Sequence, residues 1–167
     1  MHYPIFDIMA NHVIIQPPIM QMETSVVHSE YLERAVTINI YMPSKIKYLD
    51  QVSLVLFNDG QDLIKMSFDE IFSDLLASGS IEPIVCVGIH CGPERKMEYG
   101  TAYSADFNGR GAKAGLYSKF IFDELLPFIR KKYNAPSFKD KSFAGFSLGA
   151  LSAMDIAWNY ASEFRKV

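Results

Sequence analysis

A chain of 167 residues, 49% of them hydrophobic and 21% charged, is long enough for one globular domain with a sizeable core and too apolar for a disordered or fibrous protein. A formal net charge of −3 with no stripe of Lys and Arg argues against nucleic acid as a partner. The longest apolar runs, Val52–Phe57 and Ile84–Ile89, fall far short of a membrane span. The N-terminus has no basic stretch and no small-residue cleavage site, so a cytoplasmic location is expected, with a mature form whose leader was removed as the alternative. Two cysteines, Cys86 and Cys91, suggest no disulfide framework, and Cys86 reads as a small core residue.

Residues 1–25 read as an irregular N-terminal segment broken by Pro4, Pro17 and Pro18. Val26–Leu32 and Ala35–Met42 read as two strands of a hairpin. The second alternates Val36, Ile38, Ile40 and Met42 with Thr37, Asn39 and Tyr41, as expected when one face is solvated. Val52–Phe57 is nearly continuous apolar, the pattern of a parallel strand covered on both faces, and Asn58-Asp59-Gly60-Gln61 follows it as a turn. Ser67-Phe68-Asp69-Glu70 has the form of a capping box. The helix behind it carries Phe68, Ile71, Phe72, Leu75 and Leu76 as an inward stripe, and Gly79 stops it. Ile84–Ile89 is a second buried strand and completes a βαβ unit. His90–Lys113 is a long polar loop of the kind that more often carries function than not. Leu116–Lys132 reads as a helix kinked by Pro127, with Leu116, Phe120, Ile121, Leu125, Phe128 and Ile129 inward.

The most informative stretch is Lys141–Trp158. Gly145-Phe146-Ser147-Leu148-Gly149 is a G-x-S-x-G pentapeptide between a short strand, Ser142–Ala144, and a helix running to about Tyr160. A strand that turns directly into a helix forces its middle residue into strained backbone angles and leaves no room for bulk on either side. Such a turn lifts the Ser147 hydroxyl clear of the backbone and aims the Leu148 N–H toward a developing oxyanion. The whole pattern is an α/β chain: a hairpin followed by βαβαβα with a mostly parallel sheet. Its strand ends at Asp59-Gly60-Gln61, His90 and Ser147 should share one edge.

These stretches together resemble the esterase D-like family of α/β-hydrolases, which includes enterochelin esterases, feruloyl esterase domains, S-formylglutathione hydrolases and antigen 85 mycolyltransferases. The resemblance runs over residues 26–167 as the N-terminal portion of a single α/β-hydrolase domain. It rests on Val55–Gln61, on Val87-Gly88-Ile89 with Arg95, Glu98 and Tyr99, on Gly111–Ala114 leading into Glu124–Ile129, on the elbow, and on Glu163-Phe164. It implies that Ser147 is the nucleophile, that the Leu148 and Gln61 N–H groups form the oxyanion hole, and that no cofactor or metal takes part. It also implies a small-molecule ester as substrate. Asp59, His90, Arg95, Glu98, Tyr99 and Tyr103 would line the cleft, with a self-satisfied polar loop as the alternative for the loop residues.

The sequence departs from the family pattern after the elbow. In the family the triad acid and histidine follow the serine, but the acids after Ser147 are Asp155 and Glu163, and no histidine follows. The expectation is therefore a fold whose C-terminal strands are missing from this chain. The Ser142–Ala144 strand becomes a bare apolar edge, which a second polypeptide or another copy of the chain would cover; a truncated gene product or fragment is the other explanation. A rescue from within would use His90 oriented by Asp59 or Asp106. A metal site from Cys86, His90 and Cys91 matches no zinc spacing. The reading is a serine ester hydrolase acting through an acyl-enzyme, with acyl transfer to an alcohol, or a non-catalytic scaffold, as alternatives.

Overall fold

The computed structural model describes residues 20–44, 46 and 49–167. Most of the N-terminal segment, with Pro4, Pro17, Pro18, His2 and His12, lies outside them. Five strands form one sheet: β1 (Met20–Ser29), β2 (Arg34–Pro43), β3 (Ser53–Asn58), β4 (Ile84–Ile89) and β5 (Lys141–Ala144), in the order β1-β2-β4-β3-β5. The hairpin pairs antiparallel and joins β4 antiparallel, whereas β4, β3 and β5 run parallel. The fold is thus the α/β architecture expected, with an antiparallel hairpin on a parallel sheet. The hairpin starts earlier than the sequence alternation indicates. Met20–Ser25 continue β1 because each residue finds a partner on β2, from Pro43 to Ile38. Leu32 falls in the hairpin turn.

Alternation along the central strands sends residues to two cores. Leu54, Leu56, Val85, Val87 and Ile89 enter the larger one with Val36, Ile38, Ile40 and Phe143. Val55, Phe57, Ile84 and Cys86 enter a smaller one on the other face, with Tyr41. The hairpin is therefore not solvated along one whole face, since Asn39 and Tyr41 are each 1% exposed.

The smaller core is closed by α1 (Gly60–Lys65) and α2 (Phe68–Ala77), which contribute Leu63, Phe72 and Leu76. Where the sequence suggests only a turn at Asp59–Gln61, α1 begins at once, with Asp59 in the left-handed region at φ 60°. Gly60 allows it: a Cβ there would lie 2.2 Å from the Gly88 carbonyl carbon on β4. The capping box does not form. Ser67 has φ 50° and makes no side-chain cap, because it bends the chain between two successive helices. In α2 only the Phe68, Phe72, Leu76 row faces the sheet; Phe68 packs edge-on to Tyr41 and Phe57 and stacks on Phe72. Ile71 and Leu75 stay exposed.

The larger core is covered by α4 (Ala114–Lys119), a π-helical turn (Phe120–Leu125), α5 (Leu126–Lys132) and α6 (Leu148–Asn159). The first three are one continuous rod. Leu126 N–H reaches back to Ile121 O in the wider register just before Pro127, which has no N–H of its own, so the proline is absorbed by a π-turn. Leu116 faces outward, and Tyr117 takes the inner position instead. The outer edge of β5 is not bare. Phe143 donates to Lys166 O at 3.1 Å and Arg165 donates to Lys141 O at 3.0 Å, so residues 165–166 lie along β5 in the parallel sense. Among the described residues no helix is long and apolar enough to cross a membrane.

Gly60→Ala should lower stability by about 3 kcal/mol, the upper end of overpacking costs, because its Cβ would meet backbone that cannot yield. Gly79→Ala has open space around it and only a positive φ of 67° to bear, so it should cost about 1 kcal/mol. Urea unfolding of the two variants measures the contrast, and equal losses would refute the close approach of α1 to β4.

Candidate active site

The carboxyl ends of β5, β3 and β4 lie side by side and present Ser147, Asp59 and His90. The G-x-S-x-G segment turns from β5 into α6 within three residues. Ser147 sits at φ 53°, ψ −124°, a strained conformation for any residue with a side chain, and is exposed. The flanking glycines are required by contact. A Cβ on Gly145 would lie 2.6 Å from the Gly149 backbone, and one on Gly149 would lie 2.7 Å from the Asp59 carboxylate. Leu148 is the first residue of α6, so its N–H belongs to the donors that the helix itself leaves unpaired.

Gln61, the second residue of α1, is in the same position at its own helix start. Its side chain is pinned against the end of β4: Oε1 accepts the Cys91 N–H at 3.1 Å and Nε2 donates to Cys91 Sγ at 3.2 Å. Burial, and then the charge of Asp59, push the Cys91 thiol up from its ordinary pKa. Burial pushes Cys86, in the smaller core, up to about 12.

Several residues expected to line a cleft are structural instead. Asp59, 4% exposed, is held by Arg95 through two bonds, Nε to Oδ1 at 2.6 Å and Nη2 to Oδ2 at 2.7 Å. Glu98, 1% exposed, takes an equivalent pair of bonds from Arg34, both 2.7 Å. Tyr99 is fully buried, and its hydroxyl accepts the Asp59 N–H at 3.3 Å. Each is consumed by its partner and offers no surface to a substrate. Arg95 is partly exposed, and its guanidinium also lies over the Tyr99 ring.

His90 does not turn toward the serine. Asn39 Nδ2 on β2 donates to His90 Nε2 at 2.9 Å, and Thr24 Oγ1 on β1 donates to Asn39 Oδ1 at 3.0 Å. The ring is therefore a neutral acceptor facing the hairpin. Two strand spacings, about 10 Å, separate β4 from β5. Neither acid proposed to orient it is free: Asp59 belongs to Arg95, and Asp106 is bound to the Asn108 and Arg110 N–H groups and to the Arg110 side chain. The acids after the serine are also engaged. Asp155 accepts the Ala102 N–H at 3.0 Å and anchors the long loop on α6, and Glu163 pairs with Lys141.

The long loop is itself ordered. It contains α3 (Arg95–Glu98), and Gly111 and Lys113 donate back to Lys96 and Met97 carbonyls at 3.0 and 2.8 Å. Thr101, Ser104 and Arg110 of the loop face Leu148 and Leu151 of α6 across a small cavity of about 180 Å³ beside the elbow. Tyr103 and Phe107 stand out from the loop into solvent, 85% and 94% exposed.

Sequence reasoning passed over two buried partners of the site, Asn58 and Tyr117. Asn58 Nδ2 donates to Gly149 O at 2.7 Å, and Tyr117 donates to Asn58 Oδ1 at 2.6 Å. The available signal was a polar residue closing an otherwise apolar strand.

A family model described as "Putative esterase" matches residues 29–167. An uncharacterized protein of Bacillus subtilis, YjcH, is 25% identical over 145 residues, which are 83% of this chain and 56% of that protein. Among solved structures, an IroE-like serine hydrolase from Shewanella oneidensis superimposes with a TM-score of 0.67 at 22% identity, covering 86% of this chain and 48% of the other. An enterochelin esterase from Shigella flexneri gives 0.70 at 19%, covering 89% and 35%. A ferulic acid esterase gives 0.66 at 20%, covering 88% and 58%. The likeness to the solved structures is one of fold, and this chain spans about a third to just under three-fifths of the length of these proteins.

Arg34→Met should cost about 3–5 kcal/mol, because it leaves the Glu98 carboxylate buried without a partner. The double variant Arg34→Met, Glu98→Leu should recover much of that loss, and a double-mutant cycle of urea unfolding measures it. Burial holds the His90 imidazole below its ordinary pKa. The unfolded chain therefore takes up the proton first as pH falls. The contribution of the neutral ring is complete above about pH 6.5 and is lost as pH falls toward the lowered native value. Stability should drop as pH falls below about 6.5 in the wild type and less in His90→Gln; an equal drop would place the titration elsewhere.

Proposed function

The chain belongs to the esterase family whose model it matches, and from that premise we propose that it carries the nucleophile half of a serine ester hydrolase. The observation that carries the reading is the Ser147 backbone. An exposed serine held at φ 53°, ψ −124° between a strand and a helix is backbone strain of the kind that collects at active sites. Ser147 Oγ would attack the ester carbonyl carbon as its proton passes to a base. The carbonyl oxygen becomes an oxyanion facing the Leu148 and Gln61 N–H groups. Collapse expels the alcohol, and water then releases the acid from the acyl-enzyme.

The base is the open part of this reaction. Among the described residues the histidines are His28, exposed on β1, and His90, bonded to Asn39. A serine without its base is a weak nucleophile, and loss of a triad histidine costs about a million-fold in kcat. We therefore assign the histidine and acid to polypeptide that extends the sheet beyond β5, either a continuation of this polypeptide or a second one. The length of the similar proteins and the parallel pairing already begun by residues 165–166 support this assignment. The substrate is a small carboxylic ester. The similar structures include a ferulic acid esterase, which makes an ester of an aromatic acid the first to try.

Intact-mass spectrometry before and after a fluorophosphonate probe tests the reading. A single adduct that disappears in Ser147→Ala is the expected result, and the untreated spectrum reveals any accompanying polypeptide. A chain of the mass calculated from its sequence that takes no adduct would be an inert fragment or a scaffold, with no catalysis of its own.

A further inference from the structure

A strained residue persists only when its surroundings fix the backbone on both sides of it. For Ser147 the strand side is fixed by β5, paired with β3 from Lys141 to Ala144, and by the tight contact of Gly145 with Gly149. On the helix side the fastening is polar and buried. Asn58 is completely inaccessible, as is Tyr117, and Gly149 lies buried against them. The Gly149 carbonyl can only accept, so it takes Asn58 Nδ2 as donor, at 2.7 Å. That leaves Asn58 Oδ1 to accept from the Tyr117 hydroxyl, at 2.6 Å. Both ends of the amide are satisfied in one orientation and in no other. Tyr117 is itself set by an edge-on contact with Tyr99, ring centres 5.1 Å apart, and Tyr99 holds the Asp59 N–H.

We propose that Asn58 and Tyr117 are positioning residues for the nucleophile: the amide clamps the first turn of α6 to the end of β3 and so fixes the direction of Ser147 Oγ and of the Leu148 N–H. This rests on the reading of Ser147 as nucleophile. The clamp touches neither the serine hydroxyl nor a substrate. It acts through Gly149, two residues along, by holding a carbonyl of the turn whose entry is strained. A misplacement of about 1 Å at the reacting atom is enough to cost about 100-fold in rate, and a free first turn of α6 would let the elbow relax by such amounts.

Two variants separate the clamp from ordinary core packing. Tyr117→Phe keeps the ring and removes the hydroxyl. Asn58→Asp keeps an acceptor for Tyr117 and replaces the donor to Gly149 by an oxygen. Two readings are taken on the chain: hydrogen exchange by mass spectrometry of the peptide spanning Gly145–Ala153 against the β4 peptide, and the kinetics of fluorophosphonate labelling. The expected result for Asn58→Asp is exchange about tenfold faster at the elbow with β4 unchanged, and a maximal labelling rate about 100-fold lower with half-saturation unchanged. Tyr117→Phe should move both in the same direction by less. Exchange at the elbow that is unchanged, or that rises equally in β4, would overturn the proposal. If Asn58→Asp does not fold, Tyr117→Phe decides by the same readings. A wild-type chain that takes no label lacks its base, and the exchange contrast at the elbow then decides the clamp on its own.

Discussion

The end of β3 and the first turn of α6 approach so closely that a single added carbon would not fit between them. A Cβ on Gly149 would stand 2.7 Å from the Asp59 carboxylate and 3.1 Å from the Asn58 Cβ. This contact brings two strained turns together, because Asp59 and Ser147 both have positive φ and follow neighbouring parallel strands. Each turn alone is a short segment with unpaired helix-start donors. Placed side by side, they aim the starts of α1 and α6 at the same rim of the sheet.

Buried charge fixes the loop that borders this rim. Arg95 on Asp59 and Arg34 on Glu98 are both two-bond pairs with one nearly inaccessible carboxylate. Such pairs add little net stability compared with apolar replacements, but they penalise any arrangement that leaves one partner alone. The two acids tie α3 to β3 on one side and to the hairpin on the other. Loop residues 100–110 are further anchored by Asp155 on α6. The long polar segment is thereby rigid where it meets the elbow, while its aromatic tips, Tyr103 and Phe107, remain in solvent.

What the sequence made legible was what depends on period and on small residues. Alternation located β2, and continuous apolar runs located β3 and β4. Paired glycines around a serine located the turn into α6. What it hid depends on pairing across long separations. Arg34 and Glu98 are 64 positions apart, and Tyr117 and Asn58 are 59 apart. A buried carboxylate with its arginine reads, in one dimension, like any polar loop residue, so Glu98, Tyr99 and Asp59 looked like cleft residues. The capping box at Ser67 failed for a related reason. The local signal was sound, but the preceding residues had already formed α1, and the chain needed a left-handed residue there to change direction. Leu116 falls at the border of the rod's inner face, and Tyr117, four residues before the buried Ile121, takes the inner position.

The edge beyond β5 joins these points. An apolar strand at a sheet edge invites pairing, and here residues 165–166 meet it in the parallel direction, with Phe164 packed on Phe143 at 5.4 Å between ring centres. Next to them α6 exposes Leu151, Met154 and Trp158, and the groove between Trp158, Phe164 and Val167 is apolar. An α/β sheet grows by adding a parallel strand together with a helix over its face. An edge already started in the parallel sense, beside a helix face rich in large apolar side chains, has the geometry for that addition. A strand added there would end at the same rim as β5. A histidine or acid at its carboxyl end would then stand on the open side of Ser147, opposite the side that β3 and Asp59 already fill.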